Sequence, residues 1–147
     1  MEHRRIGSLE VSVVGIGCNN FGARLDQAGT TAVVQTALDS GINLFDTADI
    51  YGGTKSEVML GEALGSRRDE AYVASKFGLP NEHTTGGGHP DYVVASCEAS
   101  LKRLGTDRID LYQLHCPDPS VPLEDTIAAM QDLVAAIVSS SGTLGSG

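Results

Sequence analysis

The chain has 147 residues, 41% of them apolar, which is enough for one globular domain burying about two-thirds of its unfolded surface. Ten Lys and Arg against nineteen Asp and Glu leave a net charge of −9, so the long-range field repels phosphate backbones and anionic membrane surfaces, and neither nucleic acid nor a membrane is an expected partner. No apolar run approaches the ~20 residues of a membrane helix, and Met1-Glu2-His3-Arg4-Arg5 leads into polar sequence rather than a signal-peptide core, so the expected location is cytoplasmic. The cysteines Cys18, Cys97 and Cys116 are odd in number and have no C-x-x-C spacing; they read as free thiols, and no metal site is expected.

Apolar runs and helical periods alternate along the whole chain. A strand is expected at Val11 to Ile16, then a helical stretch up to Ser40 with Val33, Val34, Ala37 and Leu38 on one stripe and Gly41 placed to end it. A strand at Ile42 to Asp46 precedes a helix near Ser56 to Leu64. A strand at Ala71 to Lys76 precedes a helix opened by Pro90 and closed by Gly105, with the stripe Val94, Cys97, Leu101, Leu104. The last unit pairs a strand at Ile109 to His115 with a helix after Pro122, whose stripe is Leu123, Ile127, Met130, Val134. Such alternation implies a parallel sheet with helical crossovers. Ser139 to Gly147, rich in Ser and Gly, has linker composition and no periodic face, so the domain is expected over 1–138 with a tail over 139–147.

The strands end near Gly17, Asp46, Lys76 and His115, in steps of 29, 30 and 39 residues. Eight such units would need ~250 residues, the size of a (β/α)8 barrel, and four are present. Length alone fits a doubly wound sheet of flavodoxin type better, so the choice falls to the motifs.

In a strand every second side chain lies on one face. Ile42, Leu44 and Asp46 therefore share a face, as do Tyr72, Ala74 and Lys76, and Leu111, Gln113 and His115. Each strand thus runs toward an ionisable residue at its C-terminal end, where parallel α/β folds place their sites. A carboxylate, an ammonium and an imidazole would converge there, joined by Tyr51 just after Asp46. This set suits proton donation to a carbonyl being reduced by hydride. A free tyrosine has a pKa of about 10, and an adjacent ammonium lowers such a value by stabilising the phenolate. Lys76 is placed to do this for Tyr51, with Asp46 holding Lys76 and His115 donating a hydrogen bond to the substrate oxygen.

The motifs around these residues are specific. Phe45-Asp46-Thr47-Ala48-Asp49-Ile50-Tyr51-Gly52, with Ser56-Glu57 and Leu60-Gly61-Glu62-Ala63-Leu64, is similar to the first signature of the aldo-keto reductase family. Val73-Ala74-Ser75-Lys76-Phe77-Gly78 resembles its lysine strand, and Leu101 to His115, continued by Pro117-Asp118, its histidine segment. The resemblance covers about residues 1 to 136 and implies the first half of a (β/α)8 TIM barrel with an N-terminal β-hairpin. It implies NADPH as cofactor, a small-molecule carbonyl substrate, Tyr51 as general acid, Lys76 and Asp46 as its tuning pair, and His115 orienting the carbonyl. Loose matches make Cys18, Asn19 and Arg24, with Asp46, the expected cofactor contacts; the family's other contacts have no counterpart here. A half-barrel with open edges is also expected to self-associate.

Other signals carry less. Gly15-Ile16-Gly17 would need glycine at position 20 to continue a dinucleotide fingerprint, and the residue is Asn20. His83, His89 and Gly86-Gly87-Gly88 read as a mobile substrate-side loop, Cys116 as a packed neighbour of His115, and Glu57, Arg67 and Arg68 as helix-end charges on a solvated surface. The alternative to an enzyme is a non-catalytic, NADPH-binding regulatory module resembling channel β-subunits.

Overall fold

The computed structural model describes residues 1–141, with side chains through residue 136. Residues 142–147 of the expected tail lie outside the described residues. The chain opens with an antiparallel hairpin, β1 (His3–Ile6) and β2 (Leu9–Ser12), in which His3 faces Ser12 and Ile6 faces Leu9. Four strand-helix units follow: β3 (Gly15–Gly17) with α1 (Gln27–Asp39), β4 (Leu44–Asp46) with α2 (Lys55–Leu64), β5 (Tyr72–Phe77) with α3 (Pro90–Leu104), and β6 (Leu111–Leu114) with α4 (Leu123–Ser141). The strands form one parallel sheet in the order β3-β4-β5-β6, so every unit lies beside its sequence neighbours.

Local chemistry explains the boundaries. Asp26 caps α1 by accepting from the Gly29 amide at 2.9 Å. Pro90 occupies the first turn of α3, where its missing N–H costs nothing, and Gly105 ends the helix at φ 62°. Lys102 and Arg103 stand in the last turn, where the helix dipole favours cations.

The core lies between the helices and the outward face of the sheet. Phe45 and Val73 point into it from β4 and β5 and meet Val34, Ala37, Leu38, Leu60, Ala63 and Leu64 from α1 and α2. A second cluster gathers Phe77, Val93 and Ala129, with Tyr112 stacked on Phe77 at a centroid distance of 4.9 Å. Fully burying side chains such as Phe45 or Leu60 is worth about 1.5–3 kcal/mol each. The close approach of α2 to α3 depends on Gly61, where a Cβ would overlap the Leu104 carbonyl.

Four sequence expectations need correction. The strand expected over Val11 to Ile16 is two strands, broken at the exposed pair Val13-Val14 where the hairpin gives way to the sheet. In α3, Val94 is exposed and Val93, Cys97, Ser100 and Leu104 are buried, because hydroxyls rather than large apolar groups fill part of the contact. In α4 three of the four expected stripe residues, Leu123, Ile127 and Val134, are exposed, whereas Met130 packs against the second cluster beside the buried Thr126 and Ala129. Small residues are needed on that face because Thr126 donates to the Gly88 carbonyl at 2.7 Å, bringing the helix close to the backbone. α4 also runs through Ser141, so the first residues of the expected tail are helical.

Candidate active site

Parallel register sets the site. Gly17 faces Asp46, Asp46 faces Ala74, and Ala74 faces Leu111, while Lys76 stands one face-step further along β5 and faces Gln113. Lys76 and Asp46 are therefore diagonal neighbours across the sheet, and the long lysine side chain closes the gap. Its Nζ donates to Asp46 Oδ1 at 2.7 Å and to the Thr47 carbonyl at 2.8 Å. Its third direction faces Tyr51 Oη at 3.5 Å, and it lies 5.0 Å from the centroid of the Tyr51 ring. The ammonium is largely shielded, with a side chain 14% exposed, whereas Asp46 is 47% exposed.

His115 follows the end of β6 and is held by its amide, which donates to the Phe77 carbonyl at 2.8 Å. Its ring meets the Tyr51 ring edge-on, with centroids 6.0 Å apart and planes at 89°. Desolvation, then the Lys76 charge, lowers the His115 pKa, with Asp46 opposing, so the imidazole is neutral at pH 7. Its Nδ1 is buried and has no partner among the described residues.

Tyr51 sits in the turn between β4 and α2. Its amide donates to the Ala48 carbonyl and its carbonyl accepts from the Ser56 amide. The next residue, Gly52, has φ 61°, and a Cβ there would overlap the Phe21 carbonyl, so the turn rests directly on the loop after β3.

In that loop Asn19 and Arg24 are exposed at the same sheet end. Cys18 is not exposed at all: burial raises its thiol to about 12, its amide donates to Asp46 O at 2.8 Å, and its carbonyl accepts from Ser56 Oγ at 2.8 Å. With its polar groups engaged inside the protein, Cys18 packs the loop and offers a ligand nothing directly.

The family model described as Aldo/keto reductase family matches residues 13–142. This chain belongs to the aldo/keto reductase family. Among solved structures it is similar to aldo-keto reductase AKR11C1 from Bacillus halodurans in its holo form, at 36% identity and a TM-score of 0.84, over 94% of this chain and 48% of that one. The chain thus spans about half the length of that relative, and its fold is the first half of a (β/α)8 barrel preceded by a hairpin.

Three residues of this aldo/keto reductase chain stand where the sequence did not lead one to expect them. Glu57, expected on a solvated surface, is fully buried; its Oε1 accepts from Ser75 Oγ at 2.5 Å and its Oε2 from Arg103 Nε at 2.6 Å. Arg68, expected beside it on that surface, is 14% exposed and paired with Asp110 at 2.7 Å. Cys116, expected to pack, is exposed. The loop carrying His83 and His89 is tied at its far end, where Gly87 N donates to Gly78 O and Gly88 N to Asp118 Oδ2, at 2.8 and 2.9 Å. No described helix is long and apolar enough to cross a membrane.

Proposed function

We propose that this chain carries the proton-donating machinery of an NADPH-dependent reductase of aldehydes and ketones, acting in the cytoplasm. The observation that carries the reading is Lys76 Nζ held between Asp46 Oδ1 at 2.7 Å and Tyr51 Oη at 3.5 Å. An ammonium facing the phenol oxygen leaves the phenol hydrogen free to point elsewhere, toward a substrate at the mouth of the sheet. It also offsets the negative charge left on that oxygen as the proton departs. Asp46 keeps the ammonium in place, and the Thr47 carbonyl takes its second hydrogen.

NADPH, when bound, supplies the hydride to the carbonyl carbon. The chain's own residues do the rest. Tyr51 gives its proton to the carbonyl oxygen as negative charge develops there, so the product is the alcohol. His115, neutral and set edge-on to Tyr51, has one N–H to donate to the same oxygen and fixes its angle of approach. The residues at this end of the sheet fit the reactive part of such a cofactor: a half-exposed Asp46 carboxylate, the exposed Asn19 amide and the exposed guanidinium of Arg24.

Because a catalytic group contributes little unless the hydride donor is held within reach of the same carbonyl, the proposal assigns turnover to a protein of the solved relative's length and little or none to these 147 residues alone. Loss of nicotinamide absorbance with a panel of aldehydes, beside an NADPH-binding titration, tests it. Turnover supports the reductase. NADPH binding without turnover in the longer protein would favour the regulatory module.

A further inference from the structure

A chain of buried hydroxyls at the sheet end is not used by any step above. Ser56, on α2, donates its hydroxyl hydrogen to the Cys18 carbonyl at 2.8 Å, and its Oγ lies 2.8 Å from Thr47 Oγ1. A serine hydroxyl has one hydrogen, so with Cys18 as its acceptor the second bond is donated by Thr47. The Thr47 backbone carbonyl in turn accepts from Lys76 Nζ at 2.8 Å. Cys18, Thr47 and Ser56 are all fully buried, so water cannot replace a bond lost there.

The same loop is in contact with the turn that bears Tyr51, through the approach of Gly52 to the Phe21 carbonyl. The loop from Cys18 to Leu25 therefore touches the seats of both Lys76 and Tyr51: one through Ser56 and Thr47, the other through Gly52. A shift of the loop would be passed to the ammonium and to the phenol together.

We propose that Ser56 is a positioning residue, whose hydroxyl couples the loop after β3 to the Lys76 ammonium by way of Thr47. The purpose of the coupling rests on the functional reading above, in which Asn19 and Arg24 of that loop meet the cofactor and Lys76 serves Tyr51. The link itself rests on the geometry alone.

The test uses the 147-residue chain and two nuclear magnetic resonance signals: hydrogen exchange at the Cys18 amide, which donates to Asp46 O, and the side-chain ammonium signal of Lys76. Ser56→Ala removes the central hydroxyl. Thr47→Val removes the same bond from the other side while filling the space, and decides the matter if Ser56→Ala does not fold. Ser96→Ala is the control, because Ser96 is a buried serine of α3 bonded to Val93 O and Tyr112 Oη and not to Cys18, Thr47 or Lys76. Both test variants are expected to speed Cys18 exchange by about tenfold or more, as loss of a buried bond of ordinary strength implies, and to shift or broaden the Lys76 signal. The control should do neither. A Lys76 signal identical to the parent's in the folded test variants would overturn the proposal, as would an equal change in Ser96→Ala. No turnover enters the readout, so a failed reductase assay would count against the functional reading and not against this link.

Discussion

Arg103 donates from Nε to Oε2 of Glu57 at 2.6 Å, pinning the last turn of α3 to a carboxylate with no exposed surface. Ser75, next to Lys76 on β5, donates to the other oxygen of the same carboxylate. One acid thus fastens α2, α3 and the lysine strand together. Replacing Glu57 by Ala leaves an arginine and a serine hydroxyl without their partner in a dry place. Removing one member of such a pair costs about 3–5 kcal/mol, and the lower end is expected because Arg103 is a fifth exposed and recovers some hydration. Urea unfolding of Glu57→Ala measures it; a loss below ~1 kcal/mol would mean that the network is peripheral.

Gly61→Ala sets two effects against each other. Alanine favours a helix interior by about 1 kcal/mol, but its methyl would overlap the Leu104 carbonyl, which belongs to backbone and cannot swing aside. The steric term should win, with a net loss of about 1–3 kcal/mol typical of overpacking and a lower melting temperature. A raised melting temperature would show that α2 and α3 separate at no cost.

The units of the fold were legible because periodicity and punctuation agree: Gly41, Pro90 and Gly105 sit where helices begin and end. The face-sharing of Asp46 and Lys76 was also legible, since side-chain alternation depends only on position within a strand. The stagger was not. That Asp46 lies opposite Ala74 rather than Lys76 is a matter of register between strands, which the chain does not write locally. Glu57 was misread for a related reason: its burial is created by Ser75 and Arg103, 18 and 46 residues away, and a charged residue next to Ser56 looks the same whether it faces water or an arginine. The expected stripe of α4 went astray because a hydroxyl, Thr126, and not a large apolar group, makes the closest approach.

Asp49 gives the stability a pH dependence. It is 1% exposed, its Oδ1 has no partner among the described residues, and burial, then the charge of Glu57, raises its pKa to about 6 from 3.8. An acid whose pKa is higher folded than unfolded holds its proton more tightly in the folded state. Its stabilising contribution is therefore complete below about pH 4 and is lost as the pH rises through about 6. The difference of about two units corresponds to at most ~3 kcal/mol. Asp49→Asn cannot titrate, so its stability relative to the parent should rise between pH 4 and pH 7 by up to that amount. Urea unfolding at several pH values checks this, and a difference that does not change with pH would contradict it.

For the 147-residue chain by itself, self-association is expected. Among the described residues β3 pairs only with β4 and β6 only with β5, so both outer strands present unpaired backbone groups. Leu44 and Leu111 are partly exposed on the inner face, and Leu123, Ile127 and Val134 are exposed on α4. Covering ~400 Å² of such surface is worth on the order of 10 kcal/mol before entropy is subtracted. A two-fold dimer approximating a closed barrel is the simplest product. Sedimentation equilibrium should show it; a monomer persisting at high micromolar concentration without binding a hydrophobic dye would contradict it.

The central claim is that Tyr51 gives the proton in a reduction by NADPH. Its most direct test compares the parent with Tyr51→Phe, in a protein of the solved relative's length, by reduction of a simple aldehyde and by NADPH titration. In the proposed reading the phenol acts in the transition state and is not needed to hold the cofactor, so kcat should fall by about a hundredfold or more while NADPH affinity changes little. Turnover in Tyr51→Phe close to the parent's would contradict the account.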